Sequence, residues 1–321
     1  MEYVYKQIPE DFLVTEMLDI HIKPIGKVKY YMLIKKGIST FDAIGLLEQE
    51  NAVKSKIYFA GLKDEDGVTT QYISLDNDEN FNDCYIEIDG GFINVTLIGY
   101  GDKHISTKDL FGNGFSINVR NLDNIIHDKI DYKKKRLLFI NYYDEQRFGR
   151  VGNKHVTHLL GKAIYDNDKN LVNKYLSLGG QKKDYDELMN VKNIREKSFC
   201  LNSWKSYEWN KEVMKSLLTR DILVKKFRSG EFEFLYTDQS NLRQSVSWDY
   251  PMEQFIACDK EITIIKNTRE WIKPVLIYID NICDDELNRG KFKLSMHFNL
   301  DKGTYATMAI KQFFLEVDAH N

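Results

Sequence analysis

Proline is scarce in this chain, 4 in 321 residues, and its four cysteines, Cys84, Cys200, Cys258 and Cys283, stand far apart. Without a CxxC pair neither a zinc ribbon nor a redox dithiol is written here, and the pattern fits a reducing compartment. No stretch approaches the roughly 18 apolar residues of a membrane span. Met1-Glu2-Tyr3-Val4-Tyr5-Lys6 lacks the basic-then-apolar order of a signal peptide. There is no Walker loop and no GxGxxG after a strand, so Gly-rich phosphate cradles are excluded. His155 and His158 stand three apart without a carboxylate or cysteine to complete a zinc set, and no metal or cofactor is expected. A net charge of −3 argues against a non-specific nucleic-acid coat. The expected protein is cytoplasmic and monomeric, with no membrane, DNA or obligate protein partner.

What is present is core-forming material. The chain is 43% hydrophobic and 29% charged, with 19 Tyr and 18 Phe, which suits two ordered domains. Lys29 to Lys35 is an aromatic and apolar run that suits a strand. Ser39-Thr40 offers an N-cap, and Phe41, Ile44 and Leu47 predict a helix to about Gln49. Ile57 to Ala60 reads as a buried strand, Gly61 to Gly67 as a turn, and Val68 to Leu75 as a second strand. Gly112-Asn113-Gly114 introduces a strand with Phe115, Ile117 and Val119 on one face. Residues 154–218 are rich in helix formers, with Leu159, Leu160, Ala163 and Ile164 on one side. Glu231 to Leu235 is a short strand. Phe292, Leu294, Met296, Phe298 and Leu300 alternate with polar residues up to Gly303, and Tyr305 to Phe314 suits a closing helix. Strands at both ends with helices between them predict an α+β domain interrupted by a mainly helical insertion.

Eight basic residues fall between Lys133 and Lys162, opposed only by Asp144 and Glu145. This is either a solvated face or a surface for a polyanion. Three segments combine charge, amide and aromatic groups beyond what packing asks: Ala60 to Gln71, Asn141 to Gly149, and Leu300 to Thr307. By itself Asp64 is one of three acids on a turn, where Asp is common. Asn141 to Gly149 is more informative: an amide, rings able to stack on a base and Arg147 for phosphate suit an extruded nucleotide. The same segment also reads as a strand-to-helix corner with Phe148 in the core.

Together these segments resemble the TruD family of tRNA pseudouridine synthases. Lys6-Gln7-Ile8-Pro9-Glu10-Asp11-Phe12-Leu13-Val14-Thr15-Glu16 is similar to the family's K-x-x-P-E-D-F-x-V-x-E. Ala60 to Asp64 through Thr70-Gln71 is similar to A-G-x-K-D…V-T-x-Q, whose Asp is catalytic. Gly112-Asn113-Gly114-Phe115 with Arg120 resembles G-N-x-F…R. Asn141 to Gly149 resembles N-Y-F-G-x-Q-R-F-G, and Leu300 to Thr307 resembles L-P-x-G-S-[FY]-A-T. Five segments in the family's order, at both ends of the chain, make a specific match.

The resemblance implies a pseudouridine synthase fold on a mixed central sheet, residues 1–151 and 268–321, with an inserted TRUD domain at 152–267. It implies an isomerase acting on tRNA, in the family at uridine 13: the glycosidic C–N bond breaks, the base turns and a C–C bond forms, without redox change or cofactor. Asp64 would act in a base-flipping pocket, by covalent attack or by assisting proton removal to a glycal; the sequence admits both. Lys6 would be the cation beside Asp64, Asn141 would orient carboxylate or base, and Tyr143 would stack on the uracil. Substrate contacts would come from Lys63, Gln71, Gln146, Arg147, Phe148, Arg150, Lys154, Thr304 and Tyr305. The chain departs from the pattern at Tyr143 (usually Phe), whose hydroxyl gains the option of bonding Asp64. It departs also at Asp144 (usually Gly), Gly67 (commonly Ala), Asp301 (usually Pro) and Lys311-Gln312 (an Arg-Glu pair). Two rival readings are a non-catalytic RNA-binding or tRNA-folding protein on this scaffold, and a carboxylate enzyme on nucleosides or sugars with Glu65 or Asp66 as second acid.

Overall fold

In a computed structural model, residues 3–319 are described apart from 51, 52, 54, 131, 132, 150–155, 179, 181, 246–248 and 259. The chain divides into two compact units, residues 1–136 with 275–304, and 137–274 with 305–321.

The first unit begins with β1 (Phe12–Leu18), β2 (Val28–Lys36), α1 (Thr40–Glu50), β3 (Tyr58–Phe59), β4 (Val68–Asp76), β5 (Cys84–Ile88), β6 (Gly91–Gly101), β7 (Leu110–Leu122), α2 (Asn124–Lys129) and β8 (Lys134–Ile140). Helix α1 starts where the cap predicts: Ser39 Oγ accepts the Asp42 N–H and donates to its carboxylate. Ala43, Ile44 and Leu47 of α1 bury against Tyr31, Leu33, Ile73, Leu75, Ile93 and Val95 of the sheet. The strand expected over Ile57–Ala60 narrows to the two residues of β3, flanked by buried Ile57 and Ala60.

The chain then enters the second unit within β8 and forms α3 (Thr157–Tyr165), α4 (Lys169–Leu178), α5 (Tyr185–Met189), α6 (Ile194–Leu218), β9 (Lys225–Ser229), β10 (Phe232–Tyr236), α7 (Gln239–Arg243), β11 (Asp249–Cys258) and β12 (Glu261–Glu270). Its core joins Leu160, Ala163 and Ile164 of α3 to Val172, Leu176, Leu188, Leu201, Trp204 and Phe255. Leu159, expected on that face, is exposed instead. The β11–β12 ladder went unread in the sequence: the alternation of Ile262 and Ile264 with Glu261 and Thr263 is short, and residues 261–270 are mostly exposed. No helix among the described residues is long and apolar enough to cross a membrane.

Within β13 (Ile272–Asp284) the chain returns to the first unit, adds β14 (Phe292–Asp301), and ends in α8 (Ala306–Ala319) of the second. The large sheet runs β5-β6-β2-β4-β1-β7-β14-β13-β8, with β3 on β4. It is mixed: β1 pairs parallel to β4 and antiparallel to β7. Gly112-Asn113-Gly114 lies inside β7 rather than ahead of it. There β7 runs between β1 and β14, and a Cβ on Gly112 would stand 2.4 Å from the Leu300 carbonyl oxygen.

Two of the sequence segments meet in a buried ion cluster of the first unit. Arg120 on β7 donates through Nε to Asp11 at 2.7 Å, through Nη1 to Asp285 at 2.8 Å and through Nη2 to Glu286 at 3.1 Å. Arg120, Asp11 and Asp285 are all buried. Burial pushes the Asp285 carboxyl up. Hydrogen bonds from Asn121 N–H, the Asn288 amide, Leu287 N–H and Arg120 outweigh it and hold the group at about 2. A carboxylate held below its unfolded pKa of ~3.9 stabilises fully above that pH, and its contribution is lost as pH falls toward about 2. Arg120→Met would leave two acids buried without their cation. A loss of about 3–5 kcal/mol in urea unfolding at pH 7 is expected, shrinking below pH 4; a loss under about 1 kcal/mol would show the cluster to be dispensable.

Candidate active site

Asp64 lies in the loop between β3 and β4, on the first unit. Three strands prepare its place by continuing their buried faces with polar residues. On β2 the face Tyr31, Leu33 ends in Lys35; on β1 Phe12, Val14 ends in Glu16; on β4 Leu75, Ile73 ends in Gln71 and Thr69. All of these residues are buried; Lys35, Glu16 and Gln71 Oε1 find internal partners, whereas Thr69 Oγ1 and Gln71 Nε2 have none among the described residues. Glu16 Oε1 accepts from Lys63 Nζ at 2.6 Å, and its Oε2 from the Tyr72 N–H at 3.1 Å. Thr40 Oγ1 accepts the Lys63 N–H at 2.9 Å and lies 3.0 Å from Gln71 Oε1. Lys35 Nζ donates to the carbonyls of Ile38 and Asp64, each at 2.7 Å, and of Lys63 at 3.3 Å. Gly67 closes the loop so tightly that a Cβ there would meet the Phe12 carbonyl oxygen at 2.5 Å. The main chain of Lys63-Asp64 is thus tied from beneath.

The Asp64 carboxylate itself stays partly open, with 35% of its side chain accessible, and Lys6 Nζ stands 3.4 Å from Oδ2. Lys6 also lies over the Phe12 ring at 4.3 Å. Lys63 and Gln71, expected at the substrate, have their polar heads turned inward to Glu16 and Thr40. Thr304 has its hydroxyl on the Asp301 carbonyl.

The other candidates belong to the second unit. Asn141 is buried; its main-chain N–H donates to the Trp271 carbonyl and its carbonyl accepts from Arg269 Nη2 at 3.0 Å. Among the described residues its side-chain Oδ1 has no hydrogen-bond partner. Tyr143 is clamped by Asn210 of α6, whose Oδ1 accepts the Tyr143 N–H at 2.9 Å and whose Nδ2 donates to the Tyr143 carbonyl at 2.8 Å. The Tyr143 hydroxyl donates to Met252 Sδ at 3.0 Å. Its ring meets Trp209 and Tyr305 edge-on, with the Arg269 guanidinium 4.0 Å from the ring centre. Arg147 donates to Ser206 Oγ at 3.1 Å and lies over the Phe199 ring. Gln146 is exposed, whereas Phe148 is fully buried among His158, Tyr207 and Phe232. Arg150 and Lys154, like His155, lie outside the described residues. No three His, Cys, Asp or Glu side chains converge as metal ligands would among the described residues.

Sequence reasoning missed Lys35, Asn210 and the role of Arg269. Lys35 carried a signal, since it stands two and four residues after buried Leu33 and Tyr31. Asn210 sits in a long helix whose sequence marks no polar position as internal.

The large mixed sheet with its helices is also the architecture of a solved Methanosarcina mazei chain assigned to TruD. The match covers 96% of this chain and 92% of that one, with a TM-score of 0.55 and 20% identity. That likeness defines the fold class, the α+β pseudouridine synthase architecture. Residues 2–228 match the family model tRNA pseudouridine synthase D (TruD), and the chain belongs to that family of isomerases. It is 27% identical over 97% of its length, and 99% of the relative's, to the "Probable tRNA pseudouridine synthase D 1" of Methanococcus maripaludis. It is 28% identical over 72% of its length, and 58% of the relative's, to the tRNA pseudouridine synthase D of Aquifex aeolicus.

Two departures from the family pattern answer one another. Asp144 and Lys311 form a buried ion pair at 3.0 Å, with the Ser229 hydroxyl bonded to the same Asp144 oxygen at 3.2 Å. The acid in place of the usual Gly is therefore neutralised within its own unit. Asp144→Gly and Lys311→Met should each cost about 3–5 kcal/mol, because each leaves the other charge buried alone. The double substitution should cost clearly less than their sum in a double-mutant cycle by chemical denaturation; simple additivity would refute the pairing.

Proposed function

We propose that this chain converts one uridine of tRNA, at position 13, to pseudouridine, with Asp64 acting on a nucleotide extruded from its stack. The observation that carries the reading is the state of Asp64: a partly open carboxylate with a lysine at 3.4 Å, on a loop whose backbone is fixed by buried groups. Such a carboxylate suits chemistry at C1′ of ribose. The C1′–N1 bond breaks, the freed uracil turns, C5 bonds to C1′, and C5 gives up its proton while N1 gains one. Atoms and electrons balance without a co-reactant. Extrusion exposes the uracil face, and aromatic contact with a base is worth about 1–3 kcal/mol.

The roles of the remaining residues follow from their partners. Lys6 offsets the charge that Asp64 would carry under a bound nucleotide. Asn141, with Oδ1 unpartnered among the described residues, can accept a hydrogen bond from an incoming donor such as an N–H of the base. Lys63 and Phe148 act by shaping the protein, since their own partners are internal, while Gln71 is held through Oε1 and keeps Nε2 unpartnered among the described residues. Arg147 is the better candidate for phosphate, together with Arg150 and Lys154. The insertion over 152–267 is proposed as a domain by descent; the packing units divide the chain at other residues.

Asp64→Asn should lower single-turnover pseudouridine formation by about 100- to 10,000-fold, with tRNA affinity kept. Activity equal to wild type would remove Asp64 from the reaction, and binding without isomerisation by wild type would favour an RNA-binding protein on this scaffold. Lys6→Met should slow the chemical step more than it weakens binding. The opposite split would make Lys6 an RNA contact only.

A further inference from the structure

We infer that Lys35 is a positioning residue for the reaction: its buried ammonium holds the main-chain carbonyls of Lys63 and Asp64 and so fixes where the catalytic carboxylate points. The inference rests on the reading of Asp64 given above. Lys35 is fully buried, and its Nζ meets three carbonyl oxygens, those of Ile38, Asp64 and Lys63. An ammonium has three N–H donors, and each finds an acceptor here. No ion pair recorded among the described residues includes it. An apolar side chain would continue the buried face of Tyr31 and Leu33 at far lower desolvation cost. The ammonium adds a tether from the end of β2 to two successive residues of the loop, one of them Asp64.

The tether is sensitive to pH. Burial draws the Lys35 ammonium down to about 8, while Asp64 and Glu65 pull it upward and Lys63 pushes it further down. The other groups around it, Thr40 of α1, Thr69 of β4 and Ile93 of β6, are uncharged. Lys6 and Glu16 act at one remove, through Asp64 and Lys63. Once deprotonated, the amine has two N–H donors and a lone pair for three carbonyls, and one loop contact is lost. The sign for stability is opposite. A lysine whose folded pKa lies below its unfolded value of ~10.4 makes stability rise with pH between about 8 and 10. A fall in rate across that window is therefore not a loss of fold.

The test is the single-turnover rate of pseudouridine formation from pH 6.5 to 9, with tRNA affinity measured at each pH. Wild type should lose rate with a midpoint near 8 while its affinity stays within about twofold. Lys35→Met should be slower by about 100-fold at pH 7, as for an ångström-scale misplacement, with unchanged affinity and no alkaline limb. A wild-type rate flat to pH 9, or Lys35→Met as fast as wild type, overturns the inference while an inactive Asp64→Asn leaves the reading of Asp64 intact. If Asp64→Asn is as active as wild type, that reading falls first and this one with it. Should Lys35→Met fail to fold, the wild-type pH profile decides alone.

Discussion

The first unit turns on one constraint: a carboxylate must stay open toward solvent while its own backbone does not move. Surface loops ordinarily give up the second condition to keep the first. Here the conflict is resolved by carrying polar side chains into the sheet interior at the ends of three neighbouring strands. Lys35, Glu16 and Gln71 each continue an apolar face, and each finds its partner on or directly beneath the Lys63-Asp64 turn. Buried polar groups are costly unless satisfied, so the loop and the sheet specify one another.

The second unit applies the same logic to a different segment. Asn210 clamps Tyr143 with the two hydrogen bonds a neighbouring strand would have made. Arg269 reaches both the Asn141 carbonyl and the Tyr143 ring. Asp144 is a buried acid where the family usually has Gly, and its carboxylate is taken up by Lys311 and Ser229. The chain departs from its family at two positions that are distant in sequence and adjacent in space.

Much of this was legible beforehand. Helix α1 and strands β2, β4 and β14 announced themselves through caps and period-two alternation, and the Asp64 turn through its glycines. The family pattern supplied the catalytic assignment, which spacing alone did not. What stayed hidden has physical causes. Strand β12 is mostly solvent-facing and β11 buries only Met252 and Phe255, so burial left little imprint on the hairpin's sequence. The Arg120 cluster joins residues 109 and 165 positions apart, which no local pattern reports. The inward turn of the Lys63 and Gln71 side chains and the burial of Phe148 were equally hidden, because a polar or aromatic residue has the same letter whether it faces a ligand or supports its own segment from within.

The most direct measurement is a crystal structure of the Asp64→Asn protein bound to its tRNA. The uridine at position 13 should be out of its stack, with C1′ in contact with the residue-64 side chain. A bound tRNA whose uridine 13 remains stacked, or whose extruded base lies away from residue 64, would contradict the assignment.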